Sequence, residues 1–140
     1  MKQNPKKLKF KKYHRLSKSI LFLNEQKSFY PLFGSFALKS LEVGNLTYKQ
    51  IEACRKSLKR NVDKNESIFL RVFTNFPVTK KSLGARMGKG KGSFSYWKCP
   101  VKPGQIICEV GCFSEMNAIN ALKSASWRLP FNTKIVKVRY

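Results

Sequence analysis

Apolar positions fall in short blocks along the 140 residues, and their spacing switches between a strand-like and a helix-like period. Tyr48, Ile51, Cys54, Leu58 and Val62 recur at helical spacing. Just ahead of them, Thr47-Tyr48-Lys49-Gln50 has the form of a capping box, in which the Thr hydroxyl and the Gln side chain each satisfy an orphan backbone N–H. The spacing predicts a helix from there to about Asn61, with those five residues on its buried face. A second helix is predicted after Ser114 as N-cap, with Glu115 in its first turn and Ala118, Ile119, Leu122 and Ala125 on one face, until Pro130 stops it.

Between the helices the period is two. In Ser67 to Phe73, Ile68, Leu70 and Val72 alternate with Phe69, Arg71 and Phe73, a strand that Pro77 is expected to end. Ser93 to Cys99 and Ile106 to Val110 read as a hairpin joined through residues 100–105, where Pro103-Gly104 suits a type II turn. A last strand covers about Thr133 to Val138, and residues 33–38 read as an extended segment with a close-approach glycine, Gly34. The order implies an α+β sandwich, two helices packed on a mainly antiparallel sheet. The length suits one domain, placed at 16–140, with an extended basic arm at 1–15.

Charge changes the picture most: 29 Lys and Arg face 7 Asp and Glu, a net +22. Such a chain repels itself and calls for a polyanionic partner. No apolar run is long enough to span a bilayer, and the basic residues are too dispersed for an amphipathic membrane-surface helix. Residues 1–15 hold seven Lys or Arg and no acid, so the arm is expected to order on RNA phosphates through Lys6, Lys7, Lys9, Lys11, Lys12, His14 and Arg15. Its Lys usage and Pro5 distinguish it from an Arg- and Ser-rich transit peptide. On the first helix, Lys49, Arg55, Lys56, Lys59 and Arg60 lie opposite the apolar face, either as a solvated surface or, in so basic a chain, as a phosphate-contacting one.

Thr79 to Gly92 is the most informative stretch. It carries Lys80, Lys81, Arg86, Lys89 and Lys91 with glycines at 84, 88, 90 and 92, and no acid. Glycines let a backbone lie against another backbone while the interleaved cations neutralise phosphates, which suits a loop that penetrates folded RNA. A nucleotide-binding P-loop does not fit, because three residues separate Gly84 from Gly88 and no Ser or Thr follows Lys89. A flexible linker is the plainer alternative, although a loop of this length inside a compact domain is more often functional. Phe94, Tyr96 and Trp97 beside Lys98 could stack on bases, but core packing is expected for most of them.

No catalytic centre is expected. His14 has no neighbouring carboxylate in sequence, and the acids form no obvious pair. Cys54, Cys99, Cys108 and Cys112 lack zinc-ribbon spacing and read as reduced, partly buried thiols, so neither metal nor cofactor is expected.

Several blocks resemble the large-subunit ribosomal protein L-sixteen family in its bacterial and organellar form. They are Pro5-Lys6-Lys7, Phe10-Lys11-Lys12-Tyr13-His14, Gly34-Ser35-Phe36, Gln50-Ile51-Glu52-Ala53 and Arg71-Val72-Phe73. Most specific is Arg86-Met87-Gly88-Lys89-Gly90-Lys91-Gly92 with Tyr96-Trp97 after it, and Pro103-Gly104 and Leu129-Pro130 extend the likeness. Leu16 to Leu32 departs from the family's Gly- and Arg-rich segment, and there a protein or core contact is expected for Phe22 and Phe29.

The resemblance implies an α+β protein among large-subunit rRNA helices that helps shape the aminoacyl-tRNA site and late assembly, with neighbouring ribosomal proteins as further partners. It also implies that the loop from Arg86 to Gly92 reaches toward the peptidyl-transferase centre and the tRNAs of the aminoacyl and peptidyl sites, while RNA performs the chemistry. Arg86 matches an arginine that some bacteria hydroxylate. The likeness begins near residue 5, so no import presequence is expected. A Lys-, Phe-, Asn- and Ile-rich composition points to an AT-rich gene carried in a mitochondrion, with a plastid or a bacterium as alternatives. From other classes, a free RNA-binding regulator would lose affinity steeply with salt. A phosphate-handling enzyme would show turnover abolished by Lys89→Ala or Lys91→Ala.

Overall fold

The computed structural model describes residues 5, 8–14, 16, 30–88, 90–112 and 114–138. Along the chain it forms β1 (Phe36–Ser40), β2 (Gly44–Thr47), α1 (Tyr48–Asn61), β3 (Ser67–Leu70), β4 (Phe76–Lys80), β5 (Ser93–Val101), β6 (Ile106–Gly111), α2 (Glu115–Ser126) and β7 (Thr133–Lys137). The strands make a four-stranded sheet in the order β3-β6-β1-β7 and a three-stranded sheet in the order β2-β5-β4. Their pairings are antiparallel. The expected α+β class is found, with its strands divided between two sheets.

Helix α1 begins where the capping box places it. The Gln50 Oε1 atom accepts the Thr47 backbone N–H at 2.9 Å and the Thr47 hydroxyl at 3.0 Å. Ile51, Cys54 and Leu58 are buried, and Val62 follows them inward. Tyr48, expected on that face, is 38% exposed. Side chains tilt toward a helix's N-terminus, so in the first turn Tyr48 leans past the core rather than over it. In α2 the buried positions are Ala118, Ala121, Leu122 and Ala125, and the three small alanines let the two helices lie against each other.

One core cluster joins Cys54 and Leu58 of α1 and Leu122 of α2 to Phe36 and Leu38 of β1 and Cys108 and Val110 of β6. A second joins Leu46, Cys99 and Val101 of the three-stranded sheet to Ile107 of β6 and Ile51 of α1. Leu70 and Leu129 pack against both, so the two sheets share one interior. Each fully buried leucine there contributes about 2–3 kcal/mol by leaving water.

Gly34 is the close-approach glycine the sequence suggests: a Cβ there would sit 2.8 Å from the Val110 carbonyl carbon and oxygen. Beside it, Glu109 is fully buried in β6. Its Oε2 accepts three successive backbone N–H groups, from Leu32 at 3.0 Å, Phe33 at 2.7 Å and Gly34 at 3.0 Å. Its Oε1 takes the Arg71 guanidinium. A buried carboxylate is tolerable only when its charge and lone pairs are met in this way, and here they tie the chain ahead of β1 to the edge of β3.

Several sequence expectations are corrected. The strand beginning at Ser67 stops at Leu70 rather than Phe73, because beyond the Arg71 N–H bond to Ile107 the chain leaves one sheet edge for another. Pro77 does not end a strand but pairs with Trp97 inside β4, where an edge strand tolerates its missing N–H. This strand also absorbs Thr79 and Lys80, so the basic loop begins at residue 81.

Strands β5 and β6 do not form a hairpin, since β5 pairs with β2 and β4 while β6 pairs with β1 and β3. The turn between them is as expected, with Gly104 at φ 83° and Gln105 N–H bonded to Lys102 C=O at 3.2 Å. It is pinned to β1, however, by Ser40 N–H to Gln105 C=O at 2.9 Å and Gly104 N–H to Ser40 C=O at 2.8 Å. That docking carries the chain from one sheet into the other. Phe22 and Phe29, for which an internal contact was expected, lie outside the described residues.

Candidate nucleic-acid interface

The three-stranded sheet supports both basic segments. Strands β4 and β5 converge on the loop, and at its base Gly92 allows a tight approach: a Cβ there would lie 2.6 Å from the Lys80 carbonyl carbon. Gly84, Gly88 and Gly90 act differently, turning at φ 79°, 90° and 74° with open space beside them. Backbone-to-backbone contact, expected of all four glycines, is thus made within the chain by Gly92. Lys81 Nζ closes the loop on the Gly88 carbonyl at 2.7 Å, while Arg86, Met87 and Leu83 project into solvent.

The arm crosses this base. Lys12 Nζ donates to the Lys91 carbonyl at 3.3 Å, and Lys91 Nζ donates to the Tyr13 carbonyl. Tyr13 meets Phe76 of β4 edge-on at 5.8 Å, and Lys11 Nζ lies 6.0 Å from the Phe94 ring. Sequence reading treated arm and loop as separate; the structure joins them. Phe76 as the arm's seat was missed, since an aromatic at a strand start gives no signal of what covers it. Lys9, Lys11, Lys12 and His14 are exposed, as are Lys80 and Lys81. Lys6, Lys7, Arg15 and Lys89 lie outside the described residues.

The cations of α1 divide. Lys49 borders a groove with Tyr48, Phe94, Tyr96 and Trp97. Arg55 and Lys59 border another, with Asp63, Glu66, Ile68 and Leu70. Arg55 is paired with Glu52 at 2.6 Å, which pushes its guanidinium pKa up and satisfies part of it internally. Lys56 and Arg60 are exposed on the same helix.

The cysteines are all buried free thiols. Burial pushes the Cys99 pKa up, and burial followed by a hydrogen bond to Glu66 pushes Cys112 up to about 12. The hydrogen bond between Cys54 and Cys108 pushes Cys108 well up, with burial adding to the rise, and pushes Cys54 down. Cys99, Cys108 and Cys112 are therefore protonated near neutrality, and among the described residues no group of His, Cys, Asp or Glu is placed to hold a metal.

These features define a small, strongly basic α+β protein whose cations far outnumber the acids available to pair with them. Residues 5–136 match the family described as Ribosomal protein L16p/L10e, and the chain belongs to that family. It is 43% identical over 133 residues to the large ribosomal subunit protein uL16 of Psychrobacter cryohalolentis, with 95% of each chain covered. To the proteins of that name from Buchnera aphidicola and Acinetobacter baumannii it is 42% and 41% identical over 132 residues, with 94% of each chain covered. The family is one of ribosomal proteins and not of enzymes.

Proposed function

We propose that this chain is a structural constituent of the large ribosomal subunit, forming one domain at 16–140 with its arm at 1–15. It binds large-subunit rRNA through the arm, the exposed cations of α1 and the loop. The loop from Arg86 to Gly92 reaches toward the peptidyl-transferase centre, beside tRNA in the aminoacyl and peptidyl sites, and neighbouring ribosomal proteins complete its surroundings.

The observation that carries this reading is the joining of arm and loop by the reciprocal Lys12 and Lys91 bonds, which builds one exposed cationic face on the small sheet. RNA phosphates are the partner such a face suits. No described helix is long and apolar enough to cross a membrane, which is compatible with a protein held on RNA. The Lys-, Phe- and Asn-rich composition supports a mitochondrial gene and a place in the mitochondrial matrix. The named relatives are bacterial, and a plastid or a bacterial cytoplasm suits the same composition.

Sedimentation of the tagged protein from gently lysed, purified mitochondria at moderate salt tests the reading. Co-migration with large-subunit rRNA is expected. A slow peak free of rRNA would point instead to a free regulator, and absence from the organelle would remove the mitochondrial placement. Arg86→Glu is expected to weaken translation by the assembled ribosome while shifting stability by less than about 0.5 kcal/mol, as exposed substitutions do.

A further inference from the structure

A β-bulge in β5 builds an aromatic groove that the rest of the interface does not use. Across the β4–β5 pair, Val78 faces Tyr96 but Thr79 faces Phe94, so Ser95 is an extra residue on β5. Such a bulge re-aims the side chains beyond it. Phe94 and Trp97, three apart, thereby fall on the same face as their partners Thr79 and Pro77, with ring centroids 4.9 Å apart. This face continues the one that buries Cys99 and Val101, past the point where α1 covers it. The open end is a groove of about 560 Å³ between β5 and the start of α1, bordered by Tyr48, Lys49, Phe94, Tyr96 and Trp97.

We propose that this groove receives one unpaired base of the large-subunit rRNA, stacked on the aromatic rings that border it, of which Tyr48 and Tyr96 are exposed and Phe94 and Trp97 half-buried. The inference rests on the ribosomal reading above and goes beyond it by assigning a base-binding site. The argument for RNA rather than an apolar peptide is charge. None of the residues bordering the groove is acidic, and the first turn of α1 holds no acid. Lys49 stands on one wall and Lys11 lies over Phe94 on the other, placed for the phosphates on either side of an extruded base. Flat aromatic faces with flanking cations are the usual means of holding single-stranded nucleotides. The volume also lies within the roughly 300–1,000 Å³ of small-molecule sites.

Binding of the full-length protein to large subunits stripped of it tests the site. Tyr48→Leu with Phe94→Leu keeps apolar bulk but removes two π faces. It is expected to weaken binding about 5- to 100-fold with an unchanged salt slope, whereas Tyr48→Phe binds as the unaltered chain does. In a Trp127→Phe background Trp97 is the sole indole, and stacking should quench its emission on binding. That readout does not depend on the leucine variants folding. Unchanged affinity together with unquenched Trp97, or a cross-link from residues 93–98 to tRNA or protein instead of rRNA, overturns the site while leaving the ribosomal reading intact. Failure of the unaltered protein to bind the stripped subunits removes both.

Discussion

The two sheets treat charge in opposite ways. In the four-stranded sheet the buried acid, Glu109, has its oxygens met by Arg71 and three backbone N–H groups from within the chain. On the three-stranded sheet, cations from the arm and loop are held in place by backbone carbonyls but keep their charge exposed. A carbonyl orients an ammonium group without neutralising it, so that layer still needs anions from outside. The first sheet thus supplies stability that the chain makes alone, and the second presents an unneutralised cationic surface suited to the RNA partner proposed above.

Breaking the inner latch should have the largest effect. Glu109→Gln removes the charge that Arg71 faces and turns an amide N–H toward donors, leaving buried groups unmatched. Losses of this kind reach about 3–5 kcal/mol; with Arg71 partly open to water, about 3 kcal/mol is expected. The midpoint of urea unfolding at a salt concentration that screens self-repulsion measures it. An unchanged midpoint would mean that the segment ahead of β1 is held by Gly34 packing alone.

A smaller effect separates the base of the loop from its tip. At Gly92 an added Cβ meets backbone at 2.6 Å, which cannot move cheaply, and Gly92→Ala should cost about 1–3 kcal/mol as overpacking does. At Gly84 the space is open and only the positive φ of 79° opposes a side chain, so Gly84→Ala should cost about 1 kcal/mol. Equal losses in urea unfolding would show that the loop base is no more tightly packed than its tip.

Much of the first layer was legible because its signals are local. The Thr47–Gln50 box, the α2 spacing, Gly34 and the Gly104 turn each sit within a few residues. The division into two sheets was not, because β5 and β6 are adjacent in sequence and choose different partners through the docking of residues 104 and 105 on Ser40. Pro77 hid β4, since whether proline ends a strand depends on whether that strand is an edge. Glu109 did give a sign, an acid inside the apolar run Ile106 to Val110, but its partners lie at 32–34 and 71. The basic residues were legible as residues; their grouping was not. The spacing put Arg55 and Lys59 with the other cations, and the fold sets them beside Asp63 and Glu66.

The smallest expected effect separates the layers by what weakens them, proton loss in one and salt in the other. Cys112, at the end of β6 in the core shared with the helices, has its thiol pushed from an ordinary 9.0 to about 12 by burial and by Glu66. A thiol is neutral when protonated, so a raised folded pKa means that the native chain holds the proton more tightly than the unfolded one. Its contribution is complete below pH 9 and is lost as pH climbs from there toward 12. Lysines begin to lose charge near pH of about 10.4 and relieve repulsion in the opposite sense, but they do so equally in a Cys112→Ala chain. Thermal unfolding of both proteins between about pH 8 and 11 should therefore show the unaltered chain losing Tm faster above pH 9. Parallel curves would place Cys112 in water rather than core. Moderate salt, in contrast, should leave that difference in Tm unchanged while weakening the hold of the arm and loop on RNA phosphates.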